Sequence, residues 1–394
     1  MQFSILVLTS GIAVVTSVVL IILLRRLSIP LGLIDHPNER KHHMGHVPLV
    51  GGLAIFPGVL IGAFLSGQLH RFGDALLIAS VLIVIMGALD DRRGLSVGVR
   101  LLMQCAAILA VTASTGVYVN TLGHLFGHDM RLGPWLGIPI TVIAVIGLMN
   151  AFNMLDGIDG LTGSMALICI ATISLFVGPL PVNGSLTLMA MLTAAVLPYL
   201  AANLGFMGPK IFLGDAGSML IGFLLSWILI RFSQQPHTPL SPVNVLWCVA
   251  LPVLDTLAVM YRRMRQGKSP FKPDCGHIHH LLLRAGLGPR AVLGVLIALA
   301  AAMGFAGTVA KTLHSGAGSN LMAFCVLLVC YTLTVTWVWK RQEARLNPTL
   351  VTPVPPVAHV VDIQSASNRH HALPATLHRQ VAQVERLDAG GSED

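Results

Sequence analysis

Charge is what this chain has least of. Of its 394 residues only 11% are Asp, Glu, Lys or Arg, less than half of the roughly 25% usual in soluble proteins, whereas 54% are hydrophobic. So few ionisable side chains cannot cover a soluble domain of this length, and a disordered chain needs the opposite composition. Cysteine is sparse too. The six, at 105, 169, 248, 275, 325 and 330, lie mostly inside apolar runs with no metal-type CxxC spacing, which excludes a disulfide scaffold. The class left is an integral membrane protein with many spans.

What the sequence has in quantity is long apolar runs. Eleven stretches of about 17 to 23 residues occur near 3–24, 48–66, 73–89, 99–119, 134–153, 161–179, 186–206, 216–232, 243–260, 291–310 and 320–339. Each approaches the ~20 residues a helix needs to cross ~30 Å of hydrocarbon. The period-two alternation of barrel strands is missing, so an all-α fold of about eleven transmembrane helices is expected. The first stretch lacks a basic leader and is followed by Arg25 and Arg26, so it reads as a span rather than a cleaved signal. Residues 1–340 form the expected membrane domain, and 341–394, with Pro353, Pro355 and Pro356, a flexible cytoplasmic tail.

Charge also orients the spans. With the N-terminus outside and the C-terminus cytoplasmic, 21 of the 25 Lys and Arg lie on the cytoplasmic side; Arg71, Arg131, Arg231 and Lys311 remain outside. That asymmetry accounts for the net charge of +8 without a nucleic-acid partner. The acids carry more information. Before residue 340 there are eleven, and nine of them (Asp35, Glu39, Asp90, Asp91, Asp156, Asp159, Asp215, Asp255, Asp274) fall in or near cytoplasmic loops. The positive-inside bias ignores Asp and Glu, so their crowding at one face points to function.

Five loops then matter. In Asp35-His36-Pro37-Asn38-Glu39-Arg40-Lys41-His42-His43 the basic residues, Lys41 among them, suit an anionic ligand or lipid headgroups. Asp90 and Asp91 are adjacent at a helix end and repel, so a cation, a shared proton or Arg92 and Arg93 must hold them together. In Asn150-Ala-Phe-Asn153-Met-Leu-Asp156-Gly157-Ile-Asp159-Gly160 the glycines break the helix and turn both aspartates back over the asparagine face. Four oxygen donors at that spacing suit Mg2+ or Mn2+. Asp215, followed by Ala-Gly-Ser, opens a helix whose N-terminal amides attract phosphate. Arg262 to His280 combines Arg262, Arg263, Arg265, Lys268 and Lys272 with His277, His279 and His280. Phosphate contact fits that basic setting better than zinc, for which no cysteine or carboxylate pair stands at the right spacing.

Oxygen donors for a hard cation, basic groups for phosphates and apolar helices for a lipid tail together fit phosphoryl transfer from a soluble anion to a membrane lipid. An ion-coupled transporter is the alternative, but carriers place their acids near the bilayer midplane. A scaffold without a working site is a second.

The same motifs, in this order from about residue 35 to 290, resemble the polyprenyl-phosphate N-acetylhexosamine-1-phosphate transferases. The His277-Ile-His-His form and the Asp35-His-Pro-Asn-Glu-Arg-Lys opening resemble the WecA and TagO branch more than the MraY branch, which shows three consecutive histidines. The resemblance implies transfer of an N-acetylhexosamine 1-phosphate, with GlcNAc-1-phosphate expected, from a UDP-N-acetylhexosamine to undecaprenyl phosphate. UMP is released in a bacterial inner membrane. It implies Asn153 and Asp215 as metal ligands, Asp159 at the nucleotide, Asp90 as base or lipid-phosphate positioner, and the histidine loop at the sugar-phosphate end. Asp90, Asp91, Asp156, Asp159 and His279 form the expected catalytic set, and Lys41, Asp159, Arg263, Arg265, His277, His279 and His280 the substrate-binding set. Assembly as a homo-oligomer is compatible with the sequence.

Overall fold

The computed structural model describes residues 2–35, 46–67, 71–179, 181–234, 240–269, 276–313 and 316–346. Residues 1–343 make one compact unit; a second begins at Ala344 and lies mostly outside the described residues. In chain order the helices are α1 (Gln2–Leu31), α2 (Gly51–Leu65), α3 (Arg71–Arg93), α4 (Val97–Thr115), α5 (Pro134–Leu155), α6 (Leu161–Val177), α7 (Gly184–Asn203), α8 (Gly214–Ser233), α9 (Pro242–Cys248), α10 (Ala250–Arg265), α11 (Ile278–Arg284), α12 (Pro289–Thr312) and α13 (Ala317–Leu346). Two short antiparallel pairs join them, β1 (Ile34–Asp35) with β2 (Val47–Pro48) and β3 (Thr121–Leu125) with β4 (His128–Arg131).

Every expected apolar stretch is helical, but they are not equal. Among the described residues eight helices (α1, α3, α4, α5, α7, α8, α12 and α13) are long and apolar enough to cross a membrane, and the bent pair α9–α10 makes nine. Helices α2 and α6 have 15 and 17 residues, a rise of about 22 and 25 Å, short of a ~30 Å hydrocarbon core.

The stretch 243–260 is not one straight span. It bends by 85° between Cys248 and Ala250. Pro252 has no N–H to give the Cys248 carbonyl four residues back, and its ring crowds that carbonyl, so the helix breaks there. At the other extreme α13 continues through residue 340 to Leu346, past the expected start of the tail. A hairpin absent from the sequence expectation occupies 121–131. Leu125 pairs with His128, so Phe126 (φ 50°) and Gly127 (φ 86°) form a two-residue turn. Both positive φ values are those of a type I′ turn, which normally announces itself as Asn-Gly or Asp-Gly.

Helix α8 is the hub. It is buried along nearly its whole length and packs on α2, α3, α5, α6, α7 and α9. Small residues let the backbones approach, as is usual between helices that gain little from hydrophobicity in lipid. A Cβ at Gly87 of α3 would overlap the backbone of Ala216 in α8, and backbone cannot swing aside as a side chain can. Gly87→Ala is therefore expected to destabilise the fold by about 1–3 kcal/mol, read as a lower melting temperature in detergent.

The helix ends sort into two sets. At one, Phe212 donates its N–H to Pro48 O at 2.8 Å and accepts from Gly51 N at 2.9 Å, and Arg25 Nη1 donates to Met207 O at 2.6 Å. At the other, Gln234 Oε1 accepts from Asn120 N at 2.9 Å and Thr121 N at 3.0 Å, beside the hairpin. Asp35, Asp90, Asp91, Asp156, Asp159, Asp215 and Asp255 belong to the first set; Asp74 in the first turn of α3 and Asp129 in β4 belong to the second. Glu39 and Asp274 lie outside the described residues.

Candidate active site

Three of the aspartates meet where α3 ends and α8 begins. Asp91 Oδ1 accepts from Asp215 N at 2.8 Å and Oδ2 from Ala216 N at 3.3 Å, so Asp91 caps α8. The helix amides expected to attract phosphate are thus already held by a carboxylate, which satisfies the same unpaired N–H groups. Asp90 is buried and accepts from Leu95 N at 2.6 Å and from Arg100 Nη1 at 2.9 Å. Its cationic partner is therefore Arg100, one loop further on, not Arg92 or Arg93. The Asp215 and Asp90 carboxyls stand close together. Two carboxylates do this only with a proton or a cation between them.

The junction between α5 and α6 breaks where the glycines predict. Asp156 follows the last residue of α5 and Gly160 takes φ 81° just before α6. Asp159 is held in an ion pair by Lys210, and Gly160 N donates to Asn203 Oδ1. Of the four oxygen donors, Asn150 and Asn153 line a cavity between α4, α5 and α10, whose lining does not include Asp156 or Asp159.

That cavity encloses about 500 Å3. Val97, Leu101, Val142, Ile143 and Ile146 make it apolar, and Arg100, Asn150, Asn153 and His277 supply polar groups. The bend at Val249 brings α10 here, with Thr256 and Met260 in the wall.

The histidines gather at the start of α11. The rings of His277 and His279 stack with centroids 5.9 Å apart and planes within 8°, and His280 lies 4.1 Å from His279. Parallel rings do not converge on a common metal as zinc ligands must. Among the described residues His277 Nε2 and both ring nitrogens of His279 are buried without a hydrogen-bond partner. His279 is 1% exposed and sits so close to Gly157 that a Cβ there would overlap its Nε2. Burial, then the neighbouring His280 and His277, lowers its pKa to about 3, so it is neutral at physiological pH. An orphaned buried nitrogen is costly without a partner, and a ligand oxygen supplies one.

The expected substrate-binding set also holds Arg263, Arg265 and Lys41. Arg263 is buried and its Nε donates to Ser269 O at 2.6 Å, bracing its own loop. Arg265 is exposed, its guanidinium 6.0 Å from the Tyr261 ring. Lys41 lies outside the described residues. Among those residues no group of three or more His, Cys, Asp or Glu is disposed to hold a metal ion. Two contributors had no site role assigned from the sequence: Arg100, one of the 21 basic residues of the cytoplasmic side, and Asp255, named only among the acids gathered there, which partners His277 at 2.8 Å. Their spacings of ten and 22 residues match no local pattern.

Similarity to known proteins accords with this arrangement. The model of the family described as glycosyl transferase family 4 matches residues 74–233. The chain is 43% identical over 286 residues to an undecaprenyl-phosphate alpha-N-acetylglucosaminyl 1-phosphate transferase of Yersinia pestis, covering 71% of this chain and 77% of that protein. It is 39% identical over 286 residues to the protein of that name from Escherichia coli K12, covering 71% and 76%. With the one from Haemophilus influenzae it shares 37% over 327 residues, 81% of this chain and 91% of the relative.

Proposed function

Because the chain belongs to the polyprenyl-phosphate N-acetylhexosamine-1-phosphate transferases, we propose that it transfers GlcNAc-1-phosphate from UDP-GlcNAc to undecaprenyl phosphate and releases UMP. The observation that carries this reading is the cavity between α4, α5 and α10, apolar along its walls and polar where Arg100, Asn150, Asn153 and His277 meet. A polyprenyl tail suits the walls, and its phosphate suits the polar end.

The nucleotide sugar then belongs on the neighbouring loops. His279 lies against the Gly157 backbone, and Lys210 and Asp159 pair beside it. The N–H of the neutral His279 ring donates to a phosphate oxygen, and Lys210 offsets charge. Attack of one phosphate on another depends chiefly on positioning and on cancelling negative charge. Asp90, held by Arg100 and Leu95 N, orients the reacting groups.

The oxygen-only donors Asp215 and Asn153, with Asp90 against Asp215, fit a hard divalent cation such as Mg2+ or Mn2+. Mg2+ is commonly held by one or two carboxylates and the substrate's own phosphates, and when bound it neutralises the diphosphate. Eleven membrane passes, counting α2, α6 and the bent pair, with the acid-rich end cytoplasmic, complete the reading. The 21-to-4 division of basic residues supports that orientation, and the bacterial inner membrane is the location that goes with it.

Membranes containing the protein, given labelled UDP-GlcNAc and undecaprenyl phosphate, are expected to form a butanol-extractable labelled lipid and UMP in a divalent-metal-dependent reaction. A transporter or scaffold would form neither, and that outcome would refute the proposal.

A further inference from the structure

Asp255 has no part in the chemistry above, yet it is the most thoroughly enclosed acid of the site. It sits in α10 at 0% exposure. Its Oδ2 lies 2.8 Å from His277 Nδ1, and its Oδ1 accepts from Ile278 N at 3.0 Å and from the Tyr331 hydroxyl at 3.0 Å. A carboxylate only accepts hydrogen bonds, so His277 Nδ1 carries the hydrogen. In the neutral ring the other nitrogen, Nε2, is then a lone pair. It is buried, has no partner among the described residues, and belongs to a ring that lines the cavity with Arg100 and Asn153. Other charged or titratable groups around the ring are His279, stacked on it, and Arg262, which donates to Gly276 O at 3.2 Å.

We propose that Asp255 is a positioning residue of the transfer reaction: it fixes the tautomer and plane of His277 so that Nε2 presents a proton-accepting nitrogen to a substrate phosphate at the polar end of the cavity. The assignment rests on the transferase reading. The monoanion of a phosphate monoester, whose second pKa is near ~6, carries one P–OH. The proton of that P–OH passes to Nε2, the freed oxygen attacks the sugar-linked phosphorus, the bond to UMP breaks, and the proton leaves to solvent. Asp255 offsets the imidazolium while it lasts. The same logic makes a buried carboxylate behind a histidine set its tautomer in hydrolytic triads.

Asp255→Asn tests this because it keeps the shape and reverses the tautomer. If the amide oxygen keeps Ile278 N and Tyr331, its NH2 faces His277 Nδ1, which must now accept, and Nε2 becomes a permanent N–H. The expected result is a loss of about 10–100-fold in kcat, the range for removing the partner that orients a functional histidine. The KM for UDP-GlcNAc should stay within about threefold and the melting temperature should stay near that of the parent. In a His277→Ala background the same change should cost nothing further. Parental kcat in Asp255→Asn, or an equal loss in both backgrounds, would overturn the assignment. Should Asp255→Asn not fold, His277→Asn keeps an N–H toward Asp255 and deletes the accepting nitrogen. It should lose kcat to the same extent, and parental kcat there would also overturn it. An inactive parent sinks the transferase reading and this assignment together; an active parent with an unaffected Asp255→Asn sinks the assignment alone.

Discussion

Asp215→Asn is expected to lower turnover by at least about 10³-fold while the protein still folds. Removing a cation that neutralises a diphosphate forfeits several kcal/mol of transition-state stabilisation, and each 1.4 kcal/mol is about tenfold in rate. The fold should survive because Asp91 caps α8 through the backbone N–H groups of Asp215 and Ala216, not through the Asp215 side chain. The asparagine amide can also donate to the neighbouring Asp90 carboxyl. EDTA should reproduce the loss in the parent, and Mg2+ or Mn2+ should restore the parent but not the variant. Activity undiminished in Asp215→Asn would remove that residue from the metal site.

His279→Ala is expected to cost about 10²–10³ in turnover, the usual loss for one preorganised donor to developing charge. His279→Gln keeps a donor and most of the volume and should recover part of it. Because the ring is neutral down to about pH 3, its catalytic contribution should not vary between about pH 5 and 9. Stability should vary, with a definite sign. The unfolded histidine titrates near ~6.5 and the folded one near 3, so between those values the unfolded chain binds the extra proton. Stability is therefore lost as pH falls from about 6.5 toward 3, and His279→Gln should flatten that part of the profile in acid-unfolding measurements. Stoichiometric zinc in the purified parent, or parental turnover in His279→Ala, would contradict the phosphate assignment.

Much of the architecture was legible in composition. Whether a run of residues belongs in lipid depends on its own transfer free energy, so all eleven helical stretches could be located from the chain alone. The break after Asp156 was legible for a similar reason: Gly160 needs a conformation that other residues avoid, and that preference is local. The gathering of acids at one end followed from counting apolar stretches, since the loops between successive stretches alternate between the two ends.

Contacts between distant segments were decided only by the tertiary structure. Asp91 caps a helix 124 residues away, Tyr331 bonds Asp255 across 76, and Asp159 meets Lys210 across 51. A carboxylate, amide or guanidinium in a sequence declares what it can bond but not with which partner, and several partners compete wherever polar groups crowd at helix ends. The α9–α10 bend had Pro252 as a local cause, yet its consequence was tertiary, because it sets Asp255 beneath His277 and α10 against the cavity. Hydrophobicity, turn preference and charge asymmetry act on each segment separately, and they determined the class, the positions of the helices and the end at which the acids gather. Which aspartate faces substrate and which braces a helix is a property of packing. A buried polar group must find its partner among whatever neighbours the packed helices bring to it.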